Sequence, residues 1–195
     1  GVNFFVRKGK TVEERFIGNA YMFTPSERKS LLKIKTFAPD PMSITKPFYD
    51  NVKSKDDVTK MQYLDLHLWM AGDILLKADK MSMANSLELR VPFLDKEVMR
   101  VAERIPTKYR VTHDKSTEET KYITKYAMRL AAKKDTPKQT AQTAAKKKLG
   151  FPVPIRVWLR EDKYYNVVRS VFESQSSKQF FNTAPLIKLL DDHRS

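Results

Sequence analysis

A mid-chain segment, residues 79–95, concentrates charged and polar side chains between two apolar patterns. It reads DKMSMANSLELRVPFLD, with Glu88 and Arg90 two positions apart. In extended backbone such side chains project to the same side, so the two can form a salt bridge that pins a turn. Arg90 can instead present its guanidinium fork to a phosphate or carboxylate of a ligand. The residues themselves leave both interpretations open.

The common catalytic and metal-binding signatures are absent from the sequence. It contains no G-x-x-x-x-G-K-[ST], G-x-G-x-x-G, H-E-x-x-H or G-x-S-x-G motif. His67, His113 and His193 are scattered and lack metal-ligand spacing. The chain has no cysteine, which excludes disulfides, thiolate metal sites and a cysteine nucleophile and is compatible with a reducing compartment.

Composition favours a helical domain with a sizeable core. The chain has 195 residues, of which 41% are hydrophobic and only 5 are glycine, whereas turn-rich β folds need glycine at positive φ. No apolar run approaches the roughly 20 residues that span a bilayer, and the first residues do not resemble a signal peptide. The net charge of +14 would suit nucleic acid, an anionic membrane, a phosphate-bearing substrate or an acidic remainder of a longer protein.

Helix-start signals recur along the chain and must position any site. Two capping boxes, Thr11 with Glu14 and Thr24 with Glu27, predict helix starts. A long helix is predicted to open within residues 54–57, with an apolar stripe that widens enough for burial on more than one side. Asp95 is predicted to cap a helix that Pro106 ends.

Three further segments complete this outline. Residues 37–49 contain three prolines and are predicted to form a loop, and residues 135–148 an exposed, mobile connection. A capping box at 116–119 predicts a helix through EETKYITKYAMRLAAKK, and a last helix is expected after Pro185. The prediction is therefore an all-α fold of seven to nine helices, forming a single helical domain over residues 1–195.

The 79–95 segment resembles the signature of glutamine-dependent asparagine synthetases, in the C-terminal part of their synthetase domain. Further similar elements are GDILLKAD at 72–79, KYAMR at 125–129, KKLGFPVPIRVWL at 147–159 and RKGKTVEERFIGNAYMFTPSER at 7–28. The resemblance implies the helical C-terminal portion of an adenine-nucleotide α-hydrolase-like domain (a PP-loop ATP pyrophosphatase), without its nucleotide-binding sheet. It covers nearly the whole chain.

The resemblance also implies an activity. Family enzymes use ATP and Mg²⁺ to adenylate aspartate, and ammonia from glutamine then gives asparagine, AMP and pyrophosphate. The family's N-terminal cysteine, its SGGxDS-type ATP loop and its acidic SGEGxDE-type segment are all missing here. We expect them, and the Mg²⁺ ligands, upstream in an intact cytoplasmic enzyme. The chain alone is expected to hold no metal and to be inactive.

Four residues acquire roles through the same resemblance. Lys125 matches the family's catalytic lysine, whose ammonium would stabilise charge on the phosphates and then on the tetrahedral oxyanion. Because Lys121 begins a similar "KYI" one helical turn earlier, it is the alternative if the register is shifted. Glu88, Arg90 and, more weakly, Asp73 would line or brace the site.

Other functions compete with this interpretation. A superfamily relative such as a β-lactam synthetase-like enzyme would share adenylation and differ in the acyl acceptor. A basic helical nucleic-acid-binding module is favoured by the net charge and by Lys146–Lys148 near Phe151 and Trp158. Basic and acidic residues are interleaved along the chain, however, so we expect no nucleic-acid or membrane partner. A scaffold protein related to the synthetase tail is the third alternative.

Overall fold

A computed structural model describes residues 9–18, 22–34, 37–114, 122–146 and 153–194. These residues are mostly helical and include one two-stranded antiparallel sheet, which confirms the predominantly helical expectation. Two compact units are present: Gly1–Asn19 with Thr45–Lys148, and Ala20–Ile44 with Leu149–Ser195. A single helical domain over residues 1–195 stays a prediction.

The described residues contain thirteen α-helices, more and shorter than predicted. Up to the mid-chain segment, the elements are α1 Val12–Arg15, α2 Pro25–Leu31, α3 Pro41–Asn51, α4 Asp57–Leu64, a π-helical segment Asp65–Leu75 and α5 Leu76–Ala84. Beyond it lie a 3-10 turn Pro92–Leu94, α6 Lys96–Arg104, α7 Thr107–Arg110, β1 Val111–His113, β2 Tyr122–Thr124, α8 Tyr126–Asp135 and α9 Lys138–Ala145. The last elements are α10 Ile155–Trp158, α11 Asp162–Glu173, α12 Gln175–Phe180 and α13 Thr183–Arg194.

The predicted capping boxes at the starts of α1 and α2 are confirmed. The Thr11 amide donates to Glu14 at 2.8 Å, and the Glu14 amide donates to the Thr11 hydroxyl at 3.4 Å. In α2 the Thr24 amide donates to Glu27 at 2.6 Å, while Pro25 occupies a first-turn position that needs no donor. These hydrogen bonds favour the ionised carboxylates and lower the pKa values of Glu14 and Glu27.

The predicted loop over residues 37–49 is wrong, because α3 occupies most of it. Asp40 precedes the helix, and its Oδ1 accepts the Met42 amide at 2.9 Å, as in an N-cap. Pro41 opens the helix, where its missing N–H is tolerated, although Pro47 lies inside. Helix α4 does open within the predicted residues 54–57, where Asp56 is the capping residue and accepts the Thr59 amide at 3.1 Å.

Three downstream predictions also need correction. The capping box at 116–119 lies outside the described residues. Of the helix expected to continue from it, residues Tyr122–Thr124 form strand β2 instead, and a helix starts at Tyr126. The aromatic and β-branched residues of β2 suit a strand, and they pair with β1. Much of the predicted 135–148 connection is helix α9, and the last helix begins at Thr183, ahead of Pro185.

The core of the first unit is small. Val12, Tyr49 and Leu64 are buried, with Phe16, Phe48, Met61 and Leu68 packed against them. No residue of the π-helical segment is buried, and Ile74 and Leu76 are exposed. The prediction that the long helix is buried on more than one side is therefore wrong for this part of it.

Polar side chains tie α4 to the elements before and after it. Lys60 Nζ lies 2.6 Å from Glu13 Oε1, and this hydrogen bond lowers the pKa of Glu13. Arg110, at the end of α7, donates to Gln62 Oε1 and to Thr59 Oγ1, each at 2.7 Å. Because β1 follows Arg110 directly and pairs with β2, these bonds position the strand that leads to Lys125.

Tyr49 gives the core a pH dependence. Its hydroxyl donates to the Phe16 carbonyl, and burial, helped by nearby acidic groups, raises the pKa of Tyr49 to about 12. In the unfolded state the tyrosine has a pKa of about 10. Between about pH 10 and pH 12 the unfolded state therefore loses this proton while the folded state keeps it. Stability from this group is therefore complete below pH 10 and lost as pH rises through 12.

We expect the free energy of unfolding to fall between about pH 9 and pH 11, and to fall less in Tyr49→Phe. Phenylalanine removes the ionising hydroxyl and its hydrogen bond, so the variant starts about 1 kcal/mol lower at neutral pH. Urea unfolding of both proteins at the two pH values measures the difference. Equal losses in the two proteins would show that Tyr49 does not carry the alkaline dependence.

Candidate functional site

The mid-chain segment forms a helix end, a turn and an extended return, as its sequence predicts. Helix α5 ends in two bonds: the Leu87 amide donates to the Ser82 carbonyl at 2.9 Å, and the Ser86 amide to Met83 at 3.0 Å. This is the Schellman arrangement, which places Ser86 in the left-handed region at φ 53°. The return then reaches the 3-10 turn, and Asp95 caps α6 through the Glu97 amide at 2.8 Å.

Ser86→Gly should stabilise the 195-residue chain by about 0.5–1 kcal/mol. Glycine adopts left-handed backbone without the Cβ clash that serine has at φ 53°. Asn85→Gly is the control, because Asn85 has φ −110° and its side chain donates to the Met81 carbonyl at 2.8 Å. Urea titration measures both; a less stable Ser86→Gly protein would contradict the assigned conformation.

Glu88 and Arg90 form an ion pair on the extended return. Arg90 Nη2 lies 2.6 Å from Glu88 Oε1, and the two side chains are 83% and 73% exposed, respectively. Exposed pairs of this kind contribute about 0–1 kcal/mol, so the contact is easily exchanged for another partner. The structure thus brings the two predicted residues together and leaves both open to solvent.

Asp73 lies in the π-helical segment with one satisfied oxygen. Its Oδ1 is 2.8 Å from Lys77 Nζ, whereas its Oδ2 is buried without a hydrogen-bond partner among the described residues. A buried acceptor left unpaired costs about 1–3 kcal/mol, so this oxygen is suited to a donor from outside. π-Helical turns are frequent at functional sites, which further favours a functional role for Asp73.

Lys125 is exposed at the junction between β2 and α8. It has φ 55° and ψ 36°, and its side chain makes no capping hydrogen bond. Lys125 and Ser86 are the two non-glycine positions with positive φ in the described part of the chain. Such strain persists only where the surroundings hold it, and it clusters at functional sites. Lys121, the alternative lysine, lies outside the described residues.

Arg129 donates hydrogen bonds to several backbone carbonyls at this junction. Its Nε donates to the Thr124 carbonyl at 3.0 Å, and its amide donates to the Lys125 carbonyl at 3.0 Å. Its Nη1 donates to the carbonyls of Ala144 and Lys146, at the end of α9. Arg129 lies in the KYAMR element and was not predicted as a site residue, although its spacing of four from Lys125 places the two on neighbouring turns of a helix.

Of the predicted residues, Glu88 and Arg90 contact each other. Within the described ranges, no hydrogen bond or ion pair joins either of them to Lys125 or Asp73, or Lys125 to Asp73. A row of large apolar side chains is exposed around the mid-chain segment; it comprises Met81, Met83, Leu87, Leu89, Val91 and Phe93. Large apolar side chains exposed in such number along one segment favour a contact with another part of a protein, and we call these six residues the apolar row.

The described residues hold no group of three or more His, Asp or Glu side chains that could bind a metal ion. In the same residues, no helix has both the length and the apolar character needed to cross a bilayer. Of the basic-aromatic cluster considered for nucleic acid, Lys147, Lys148 and Phe151 lie outside the described residues.

Comparison with known proteins assigns the family. The asparagine synthase family model matches residues 5–195. An asparagine synthetase (glutamine-hydrolysing) 1 from Bacillus subtilis is 41% identical over 193 residues, which cover 99% of this chain and 29% of the relative. A Mycobacterium tuberculosis protein with the provisional name of a glutamine-hydrolysing asparagine synthetase is 40% identical over 196 residues, covering 100% of this chain and 28% of that protein.

The chain therefore belongs to the asparagine synthase family. It spans less than a third of the length of these relatives. No solved structure matches it.

Proposed function

We propose that this chain is part of the synthetase portion of a longer, glutamine-hydrolysing asparagine synthetase that acts in the cytoplasm. The family match over residues 5–195 is the observation that supports this most strongly. The relatives' names and their greater length add to it. The proposed portion is the helical end of a PP-loop domain, whose nucleotide-binding sheet would come from upstream in the intact protein.

The proposed reaction joins ammonia to the side-chain carboxyl of aspartate. ATP supplies the activation: a carboxylate oxygen attacks the α-phosphorus, pyrophosphate leaves, and an acyl-adenylate remains. Ammonia released from glutamine attacks the acyl carbon, and the tetrahedral adduct loses a proton to solvent and expels AMP to give asparagine. Negative charge is redistributed in both steps, so cations held nearby lower both barriers.

Lys125 is the proposed source of such a cation. Its exposed ammonium lies at the start of α8, where the first amides of a helix lack intrahelical acceptors. An ammonium beside free amides favours an anionic group, such as a phosphate or an oxyanion. The strained backbone of Lys125 supports a functional position over a solvated helix lysine.

Arg90, Glu88 and Asp73 are proposed to contact or brace the substrate side. Arg90 can exchange its exposed partner Glu88 for a substrate carboxylate without a large loss. The unpaired Oδ2 of Asp73 can accept from an ammonium or ammonia N–H. The described residues do not fit a magnesium site, so we assign no step through the metal to them.

We propose that the rest of the intact polypeptide covers the apolar row, whose Phe93 is 68% exposed. Covering it would also complete the site, which is why the isolated chain is expected to be inactive. The chain's net charge of +14 would be balanced by a more acidic remainder.

The test is to assay the full-length protein and the 195-residue chain side by side. We expect glutamine-dependent asparagine formation with equimolar AMP and pyrophosphate from the full-length protein, and none from the chain. Pyrophosphate release that depends on another carboxylic acid instead of aspartate would indicate the β-lactam synthetase-like alternative. Salt-sensitive binding to duplex DNA, without any pyrophosphate release, would favour the nucleic-acid-binding module.

A further inference from the structure

Arg129 bonds to both peptide units that flank Lys125. Its side-chain Nε holds the Thr124 carbonyl at 3.0 Å, which belongs to the peptide unit before Lys125. Its own amide holds the Lys125 carbonyl at 3.0 Å, in the peptide unit after it. The orientations of these two units define φ and ψ of Lys125. The amide bond is the first i to i−4 bond of α8, which any residue at position 129 makes, and the Nε bond is the contact that the arginine side chain adds.

This double contact explains how a lysine stays in left-handed backbone. The conformation at φ 55° costs about 1–3 kcal/mol and needs surrounding bonds to persist. Nothing about a solvated lysine requires it, because a lysine in ordinary helical backbone would expose its ammonium equally well. The conformation changes the direction in which the side chain leaves the β2–α8 junction.

The other end of the guanidinium anchors the arrangement to α9. Nη1 donates to the Ala144 carbonyl and, at 3.2 Å, to the Lys146 carbonyl. These acceptors lie at the C-terminal end of α9, where unpaired carbonyls and the helix dipole favour a cation. The guanidinium thus links the Lys125 junction to a second helix through a rigid planar group.

We propose that Arg129 is a positioning residue for the synthetase reaction, setting the direction of the Lys125 ammonium. The proposal rests on the function proposed above for Lys125. Arg129 itself acts through the backbone and touches no reacting atom. Lysine cannot replace it, because an ammonium lacks the planar fork that serves acceptors on two sides at once.

The test uses the full-length protein and aspartate-dependent pyrophosphate release. We expect kcat to fall about 10-fold to 100-fold in Arg129→Ala, because a displaced ammonium loses its alignment with the developing charge. Arg129→Lys should fall similarly. Low concentrations of guanidinium chloride should restore part of the kcat of Arg129→Ala and none of that of Lys125→Ala. Arg100→Ala is the matched control, since Arg100 lies on the surface of α6 and its ion-pair partner among the described residues is Glu97.

The outcomes for the Lys125 and Arg129 variants test the role of Lys125 and the positioning role of Arg129 separately. If Lys125→Ala keeps wild-type activity, the proposed role of Lys125 fails, whatever Arg129 does. If Lys125→Ala is impaired while Arg129→Ala matches Arg100→Ala, the role of Lys125 stands and the positioning proposal is overturned. A loss in Arg129→Ala that guanidinium does not restore also overturns it, because a purely stabilising role predicts that result.

A folding defect would not remove the test. If Arg129→Ala proves insoluble, Arg129→Lys keeps the aliphatic stem and the charge. If the Arg129→Lys protein has the melting temperature of the wild type, a reduced kcat supports the positioning role. An unchanged kcat refutes it.

Discussion

Lys125→Ala in the full-length protein is expected to lower aspartate-dependent pyrophosphate release at least about 100-fold, while glutamine cleavage continues largely unchanged. Removing a single group that stabilises developing negative charge typically costs about 100-fold to 1000-fold in rate. The ammonium of Lys125 is proposed to act in both the adenylation step and the attack by ammonia. Glutamine cleavage belongs to a separate domain of the proposed enzyme, so its persistence shows that the loss is confined to the synthetase portion, and an unchanged melting temperature shows that this portion is folded.

Two other lysines make this result specific. Lys133 lies in the last turn of the same helix, so Lys133→Ala removes an equal charge and should leave the rate within about twofold. Lys121→Ala tests the alternative register, in which that lysine would carry the catalytic role. Aspartate activation in Lys125→Ala at the Lys133→Ala level would refute the assignment.

The parts of the fold that sequence predicts best depend on neighbouring residues. A hydroxyl at the cap and a glutamate three residues later satisfy each other's donors, so the starts of α1 and α2 follow from four letters each. The turn within residues 79–95 also depends on neighbouring residues alone. The ion pair between Glu88 and Arg90 needs only the alternation of an extended backbone.

The secondary-structure predictions that are wrong concern elements that depend on distant partners or on the position of a proline. Three prolines suggest a loop, yet Pro41 at the first position of α3 helps to start the helix. The polar helix α9 has little apolar periodicity to reveal it, and its end is held by Arg129 of α8. Strand β2 exists because β1 lies beside it, which no helical periodicity reports.

The features of the candidate site likewise fall into those that the sequence predicts and those that depend on the folded surroundings. Residue types and the family resemblance were enough to select Lys125, Glu88, Arg90 and Asp73 as candidates. Neither could give the left-handed backbone of Lys125 or the unpaired Oδ2 of Asp73, since both depend on the folded surroundings. Arg129 was missed for the same reason: its acceptors on Ala144 and Lys146 are brought to it only by the packing of α9.

Leu64→Ala is expected to destabilise the 195-residue chain by about 2–5 kcal/mol. Leu64 is fully buried between Val12 and Tyr49, and alanine would leave a cavity in a core of three buried residues. Marginal proteins are stable by only about 5–15 kcal/mol, so the loss would be a large share of the total. Urea unfolding followed by tyrosine and tryptophan fluorescence measures it.

The control for Leu64→Ala lies on the same continuous helical run. Leu76 is 47% exposed in the described structure, so Leu76→Ala removes the same atoms and should cost below about 1 kcal/mol. Equal losses at the two positions would mean that the core does not lie where Val12, Tyr49 and Leu64 meet. A large loss at Leu76 in the full-length protein alone would instead show that the remainder of the polypeptide covers this face. Comparing the two lengths of protein therefore separates the stability of the core from a contact between the remainder of the polypeptide and Leu76, which is exposed but lies outside the apolar row.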